Sequence, residues 1–259
     1  MVFAWLRRRK WARRARELMP STAEMDAVIR AYPCLAGFGD EDRERLRQRT
    51  AEVLARFDFL GADGLAPDRA DCLPVAVHVA LPALEIGLEP FSEFRSFILY
   101  TDAFEADFEE TDEAGVVHRG RDLRAGEAWH RGPVVLSLAD VADSGQGDGF
   151  HVVVHELAHQ IDHLNGEPDG YPPLPSTIRH EEWVEAFTAA WEALERDLEA
   201  GREPFIDDYA AESPAEFFAV ACEFFFDVPD HLQRTLPDIY DLLSRLFRQN
   251  PATRLVRRH

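Results

Sequence analysis

Residues 151–166 read His-Val-Val-Val-His-Glu-Leu-Ala-His-Gln-Ile-Asp-His-Leu-Asn-Gly. His155 and His159 are four residues apart, a spacing that places both side chains on one face of a helix, where they can reach one metal ion. Glu156 lies about 100° round the helix from His155, so it can border a metal-bound water instead of binding the metal. A stripe of apolar residues at helical spacing predicts that the opposite face is buried: Phe150, Val154, Leu157, Ile161 and Leu164.

The ends of this helix, and the roles of the polar residues that follow His159, are less well defined. Asp148, inside the glycine-rich 145–149, is the expected N-cap, and Gly166 the expected C-terminal stop. His163 lies about 6 Å beyond His159 along the helix axis, too far to share the same metal. Asp162 and Asn165 stand where a metzincin requires Gly and His, which excludes that class. Asp162 is either an acceptor for a ligand imidazole or a surface carboxylate.

A carboxylate further along the chain is therefore the expected third ligand, as in thermolysin-like enzymes. Glu216 has a competing structural explanation, because Ser213-Pro214-Ala215-Glu216 also reads as a capping box. Glu223 lies on the same helical face and is its closest rival. Spacing alone does not choose among six candidates, three on one predicted helix and three near the next: Glu181, Glu182 and Glu185, and Glu212, Glu216 and Glu223.

Charge is distributed unevenly over the 259 residues. The net charge is −20, yet residues 1–20 carry seven basic side chains against Glu17 alone, a net +6, which leaves −26 for the remainder. So acidic a body is expected to be soluble and to repel nucleic acid. The basic N-terminus lacks the apolar stretch of a secretory signal. It fits a helix or arm lying against the acidic body, or an amphipathic helix at a membrane surface.

The cysteines and the apolar runs favour a cytoplasmic protein. Cys34, Cys72 and Cys222 are widely spaced and form no CxxC pair, so no thiolate zinc site is predicted and each is expected to be a small core residue. The sparse, odd count fits a reducing cytoplasm. The longest apolar run, 73–84, is too short for a transmembrane segment and contains two prolines.

The order of elements predicts an α+β fold, mainly helical with a small mixed sheet and a gluzincin-like zinc peptidase core. We expect helices over 40–57 and about 67–86, the second interrupted at Pro74 or Pro82. Strands are expected at 97–100 and 134–138, with a hairpin or irregular acidic region at 109–119 between them, and the chain is mainly helical from Asp148 onward. The predicted organisation is a basic segment, 1–20, and a single zinc peptidase domain, 21–259, helical to about 90 and catalytic from about 91.

Two motifs resemble one known family. The run His155-Glu156-Leu-Ala-His159-Gln-Ile-Asp162-x-x-Asn165-Gly166, followed by Tyr209-Ala-Ala-Glu-Ser-Pro-Ala-Glu216-Phe-Phe-Ala-Val, is similar to the Mlc titration factor A family of zinc peptidases. Segments 81–87 and 132–136 also resemble that family, and the likeness covers about residues 30–250. The catalytic core of the family is similar to that of anthrax lethal factor.

The resemblance implies roles that the residues alone leave open. It implies Zn²⁺ as cofactor, Glu216 as third ligand and Tyr209 as a residue that stabilises the oxyanion. It also implies aminopeptidase activity on a peptide substrate and binding of a transcriptional repressor, Mlc, in the cytoplasm. The arginine-rich start is longer and more basic than is usual for the family, which leaves the identity of the partner open.

The expected mechanism is metal-assisted hydrolysis with Glu156 as general base. The strand 134–136 is expected to lie at the cleft and to pair with an extended peptide. Two other classes remain as alternatives: a non-catalytic protein that binds a regulator and keeps a residual zinc site, and an endopeptidase effector resembling lethal factor. The short chain without a predicted secretion signal or receptor-binding region weighs against the effector.

Overall fold

The structure, a computed structural model, describes residues 2–102, 104–111, 117–124, 126–128 and 132–254. The first part of the chain is helical: α1 (Val2–Glu17), α2 (Thr22–Ala31), α3 (Asp40–Arg56), α4 (Arg69–Ala80) and α5 (Ala83–Ile86). Pro74 lies inside α4, which ends at Ala80, and Leu81 and Pro82 separate it from α5, so the second of the two predicted interruptions is confirmed. Ser21 and Asp68 begin α2 and α4 with capping boxes.

The basic N-terminal segment forms α1, which packs on α3. Ala15 is buried against Ala51 and Ala55, three small side chains that let the two helices approach closely. The Trp11 ring lies between two guanidinium groups, those of Arg7 and Arg56, with Cζ atoms 4.9 and 5.1 Å from the ring centre. Small residues and cation–π contacts thus attach α1 to the body of the protein.

The strands build a small mixed sheet. They are β1 (Asp58–Gly61), β2 (Ser96–Tyr100), β3 (Phe104–Thr111), β4 (Val117–Arg124), β5 (Gly126–Ala128) and β6 (Val134–Ser137). The main sheet has the order β1-β2-β6-β5, in which β1, β2 and β6 are parallel and β5 is antiparallel to β6. The strands β3 and β4 pair antiparallel as a separate ribbon. The predictions of β2 and β6 are confirmed within one residue.

The second part of the chain is helical again: α6 (Leu138–Asp143), α7 (Val152–Asp162), α8 (His180–Glu199), α9 (Pro214–Asp227), α10 (Pro229–Thr235) and α11 (Pro237–Phe247). Every residue of α9 from Phe217 to Asp227 is buried. A helix that is buried on all sides belongs to the core. It packs against α7 and, through edge-to-face and tilted contacts of the Phe218 ring with Trp183 and Phe187, against α8. The predicted α+β fold is confirmed.

Candidate metal centre

The helix α7 begins one residue after His151, whose Nδ1 accepts a hydrogen bond from Val154 N. Ser144 Oγ accepts a second hydrogen bond, from Val152 N, at 3.0 Å. The predicted N-cap, Asp148, is therefore wrong, because its carboxylate accepts from Phe150 N in the preceding loop. After α7 the chain continues as a 3₁₀ turn, His163–Asn165. This helical segment ends at Gly166, as predicted.

The loop before α7 is fixed to α9 by a buried carboxylate. Asp227 accepts hydrogen bonds from Gly147 N and Gly149 N, the shortest of them 2.8 Å long. Gly149 has φ +96°, and a Cβ atom there would lie 2.6 Å from the Phe224 ring. Only glycine fits this position without strain, so the start of α7 is held in a defined place relative to α9.

Glu216, in the first turn of α9, approaches the histidines of α7. Ser213 is the N-cap, and its Oγ accepts from Glu216 N at 3.1 Å, as the capping pattern predicts. The Glu216 carboxylate, however, faces His155 and His159. The cap therefore positions the backbone of Glu216 and leaves its side chain for the site.

Three donor atoms form a compact triangle. His155 Nε2 and His159 Nε2 are 3.1 Å apart, and Glu216 Oε2 lies 3.0 Å from the first and 3.3 Å from the second. A tetrahedral zinc ion with bonds of about 2.0–2.1 Å separates its ligand atoms by about 3.3–3.4 Å. Two imidazoles and one carboxylate are also a donor set that zinc takes in catalytic sites. The residues present fit a metal of this kind.

The hydrogen bonds of His155 decide which of its nitrogens is available. Its Nδ1 lies 2.8 Å from Glu223 Oε1, so Nδ1 carries a proton and donates it to the carboxylate. In the neutral ring the lone pair is then on Nε2, the atom that faces Glu216 and His159. Glu216 Oε2 is buried and receives no hydrogen bond from any residue that the structure describes. Lone pairs that meet without a proton between them are stabilised by a cation.

The charges around the triangle also favour a cation. Burial alone would lower the pKa of His155, but the nearby carboxylates of Glu216 and Glu223 raise it well above its usual range. Burial alone would raise the pKa of Glu216, but His155 and His159 hold it well below its usual range. The carboxylates around His155 therefore favour positive charge at the triangle, which a bound metal ion supplies.

Glu156 and Tyr209 lie next to these donors. Glu156 is 4% exposed, and its charge contributes to the raised pKa of His155. Tyr209 belongs to a 3₁₀ turn, Asp208–Ala211, which Asp207 caps through Tyr209 N. Its ring centre is 6.0 Å from that of His155, and the side chain is 44% exposed. The structure thus brings both residues to the site, one buried and one at its rim.

Other carboxylates considered as third ligands lie elsewhere. Glu182 forms an ion pair with Arg245, and Glu181, Glu185 and Glu212 are exposed. Glu223, the closest rival, accepts a hydrogen bond from Nδ1 of His155, the ring nitrogen that does not belong to the triangle, and another from His151 N. Asp162 is buried, and its carboxylate accepts from Gly170 N at 2.7 Å, so the prediction of a surface carboxylate is wrong. Its contact fixes the loop after α7.

Comparison with known proteins decides the family. The model of the glucose-regulated metallo-peptidase M90 family matches residues 3–248. The chain belongs to this metallopeptidase family. As a member it has a metal cofactor and a peptide substrate, and the resemblance noted from the motifs is confirmed.

Curated relatives agree with the assignment. Mlc titration factor A of Serratia proteamaculans (strain 568) is 33% identical over 252 residues, covering 96% of this chain and 95% of its own. The protein of the same name from Edwardsiella ictaluri (strain 93-146) is 36% identical over 229 residues, 87% of each chain. That from Escherichia coli (strain 55989 / EAEC) is 30% identical over 248 residues, 95% of this chain and 94% of its own. The alignments with these three relatives cover between 87% and 96% of this chain.

Proposed function

We propose that this M90 peptidase is a zinc-dependent aminopeptidase whose metal is held by His155, His159 and Glu216. The triangle of two Nε2 atoms and one buried carboxylate oxygen, with sides of 3.0–3.3 Å, carries the proposal. When bound, zinc supplies a water of lowered pKa and polarises the scissile carbonyl. The remaining steps fall to the side chains around it.

Glu156 is the proposed general base. It follows the first histidine directly, is almost fully buried, and its charge acts on His155, which favours proton transfer beside the metal ligands. It takes a proton from the attacking water and then passes it to the leaving amine. Because the same carboxyl group accepts and returns the proton, one residue serves both halves of the reaction.

Tyr209 is the proposed partner of the oxyanion. Its phenol group is a hydrogen-bond donor at neutral pH, and its ring lies beside His155 at the exposed rim. A donor placed where negative charge develops stabilises the transition state. The capped 3₁₀ turn that carries Tyr209 gives it a defined position ahead of α9.

The substrate is expected to pair with β5. The predicted pairing strand was 134–136, but β6 has β2 on one side and β5 on the other, so its backbone is already paired. In the part of the chain that the structure describes, β5 ends the sheet, and it lies against α7. Because α7 carries His155 and His159, we propose that a peptide adding to the outer edge of β5 reaches them and is recognised through its main chain.

The remaining parts of the proposal concern partner and location. The relatives are named as titration factors of Mlc, and we propose a comparable regulator as a partner of this chain in the cytoplasm. None of the helices that the structure describes combines the length and apolar character needed to span a bilayer. The many acidic side chains offer a surface for a basic partner.

Hydrolysis of fluorogenic aminoacyl and short-peptide substrates tests the proposal. We expect cleavage that a chelator removes and that zinc restores, and we expect Glu156→Gln to bind zinc normally but to lose activity by at least about 10²-fold. Glu185→Gln makes the same chemical change on the exposed face of α8 and should leave activity intact. Full activity of Glu156→Gln would overturn the role of the base. Absence of any chelator-sensitive cleavage would favour a regulator-binding protein instead.

A further inference from the structure

A second cluster of metal-binding side chains lies below the start of α7. Donor atoms of Cys34, His78 and His151 all lie within 4.8 Å of one another. Both histidines are fully buried, and His78 Nδ1 is 3.0 Å from His151 Nε2. We propose that these three residues form a second cation site, for a thiophilic ion such as Zn²⁺, separate from that of His155, His159 and Glu216.

The donor set suits such an ion. One thiolate and two imidazoles are borderline to soft ligands, which select zinc or copper(I) over magnesium or calcium. His78 comes from α4 and His151 from the residue that caps α7, while Cys34 lies in the 3₁₀ turn Pro33–Leu35. Because Cys34 is only half-buried, its side chain gives an ion a route from the surface to the two buried rings.

The backbone leaves room for the sulfur beside the ring. Cys34 N donates to Gly145 O at 3.1 Å, and Gly145 has φ +69°. A Cβ atom on Gly145 would lie 2.6 Å from Cys34 Sγ and 3.6 Å from His151 Cδ2. Any side chain at position 145 would therefore separate the thiol from the imidazole.

Hydrogen bonds within the protein do not fully account for the buried pair. One proton lies between His78 Nδ1 and His151 Nε2, and His151 Nδ1 accepts from Val154 N at a long 3.3 Å. This series of hydrogen bonds ends at His78 Nε2, a fully buried nitrogen that has no hydrogen-bond partner among the described residues. A cation takes the place of the shared proton. The long contact to Val154 is then lost, but Ser144 Oγ still caps Val152 N.

The surrounding charges allow this exchange. Burial lowers the pKa of both histidines, that of His151 to about 3, so both rings are neutral at physiological pH and keep a lone pair for a metal. Burial and the nearby Asp227 raise the pKa of the Cys34 thiol, so the thiol keeps its proton when no cation is present. Once a dication is bound, the same Asp227 charge stabilises it together with the thiolate.

Titration of the reduced, metal-free full-length chain with Co²⁺ tests the second site. Only a thiolate ligand produces sulfur-to-cobalt charge-transfer absorption in the near ultraviolet, and the triad of His155, His159 and Glu216 contains no sulfur. We expect two equivalents to bind, one of them with this absorption. In Cys34→Ser we expect one equivalent without it. The matched control is Cys72→Ser, which removes another half-buried thiol and should behave as wild type.

His155→Ala separates this site from the proposed catalytic one. We expect that variant to bind one equivalent and to keep the full charge-transfer absorption, whether or not the protein proves to be a peptidase. Retention of the catalytic equivalent in Cys34→Ser shows that the variant is folded. A wild-type chain without charge-transfer absorption would overturn the proposal, as would an absorption that persists in Cys34→Ser or disappears in His155→Ala.

Discussion

Glu223→Gln is the substitution that probes most sharply how the metal centre is supported. Glu223 is 6% exposed, and its two carboxylate oxygens have different partners, His155 Nδ1 at 2.8 Å and the backbone N–H of His151. Glutamine has the same shape but only one acceptor oxygen, so its amide group must face one of these donors. The substitution therefore removes a hydrogen bond and the negative charge that makes His155 a better ligand.

The size of the effect follows from these two contacts. Loss of a carboxylate that orients a ligand histidine typically lowers metal affinity by 10- to 100-fold, or about 1.4–2.7 kcal/mol. A buried N–H group left without its charged acceptor costs about 1–3 kcal/mol of folding stability. We expect both losses in Glu223→Gln, because the side chain joins the start of α7 to the first histidine.

Competition with a fluorescent zinc chelator measures the affinity, and urea unfolding of the metal-free protein measures the stability. Glu185→Gln, on the exposed face of α8, should change neither quantity. If Glu223→Gln bound zinc as tightly as wild type, Glu223 would not support the metal ligand, and the tautomer assigned to His155 would be wrong.

Two further predictions concern the loop before α7. Gly147 and Gly149 both have positive φ, but among the described residues a Cβ would meet a neighbour only at position 149, where Phe224 lies at 2.6 Å. Gly147→Ala should therefore cost about 1–2 kcal/mol and Gly149→Ala about 1–3 kcal/mol more; equal losses in urea unfolding would argue against the close contact. Burial raises the pKa of Asp227 to about 6, above its value of about 4 in the unfolded chain, so its contribution to stability is largest below pH 4 and falls as the pH rises from about 4 to 6. Relative to Asp227→Asn in the presence of a chelator, wild type should lose about 2–3 kcal/mol over that range, and a pH-independent difference would contradict the shift.

Much of the fold was predictable because its elements carry strong local signals. The apolar stripe of α7 and the strand formers of β2 and β6 indicate their elements directly. The strand β5 gives no such signal, because Gly126, Glu127 and Ala128 are all residue types depleted in strands. Tertiary pairing with β6 decides its conformation. The cap of α7 was missed because an imidazole, in His151, replaces the usual short polar side chain.

The site was predictable in its helical part and less so where two helices meet. The four-residue spacing of the histidines follows from helix geometry alone. Glu216 and Glu223 share a face of α9, about 10 Å apart along its axis, so sequence reasoning offers both as ligands. Only the packing of α9 on α7 places Glu216 at the Nε2 atoms of the two histidines and Glu223 at Nδ1 of His155. Cys34, His78 and His151 are far apart in the chain and follow no ligand spacing, so only the fold brings them together.

Anomalous scattering at the zinc absorption edge, from crystals of the zinc-loaded protein, tests the central claim most directly. We expect an anomalous-difference peak at bonding distance from three atoms, His155 Nε2, His159 Nε2 and Glu216 Oε2, and its loss in crystals of Glu216→Ala treated with a weak chelator. A peak that is absent from this triangle, or that contacts Glu223 in place of Glu216, would contradict the account of the metal centre.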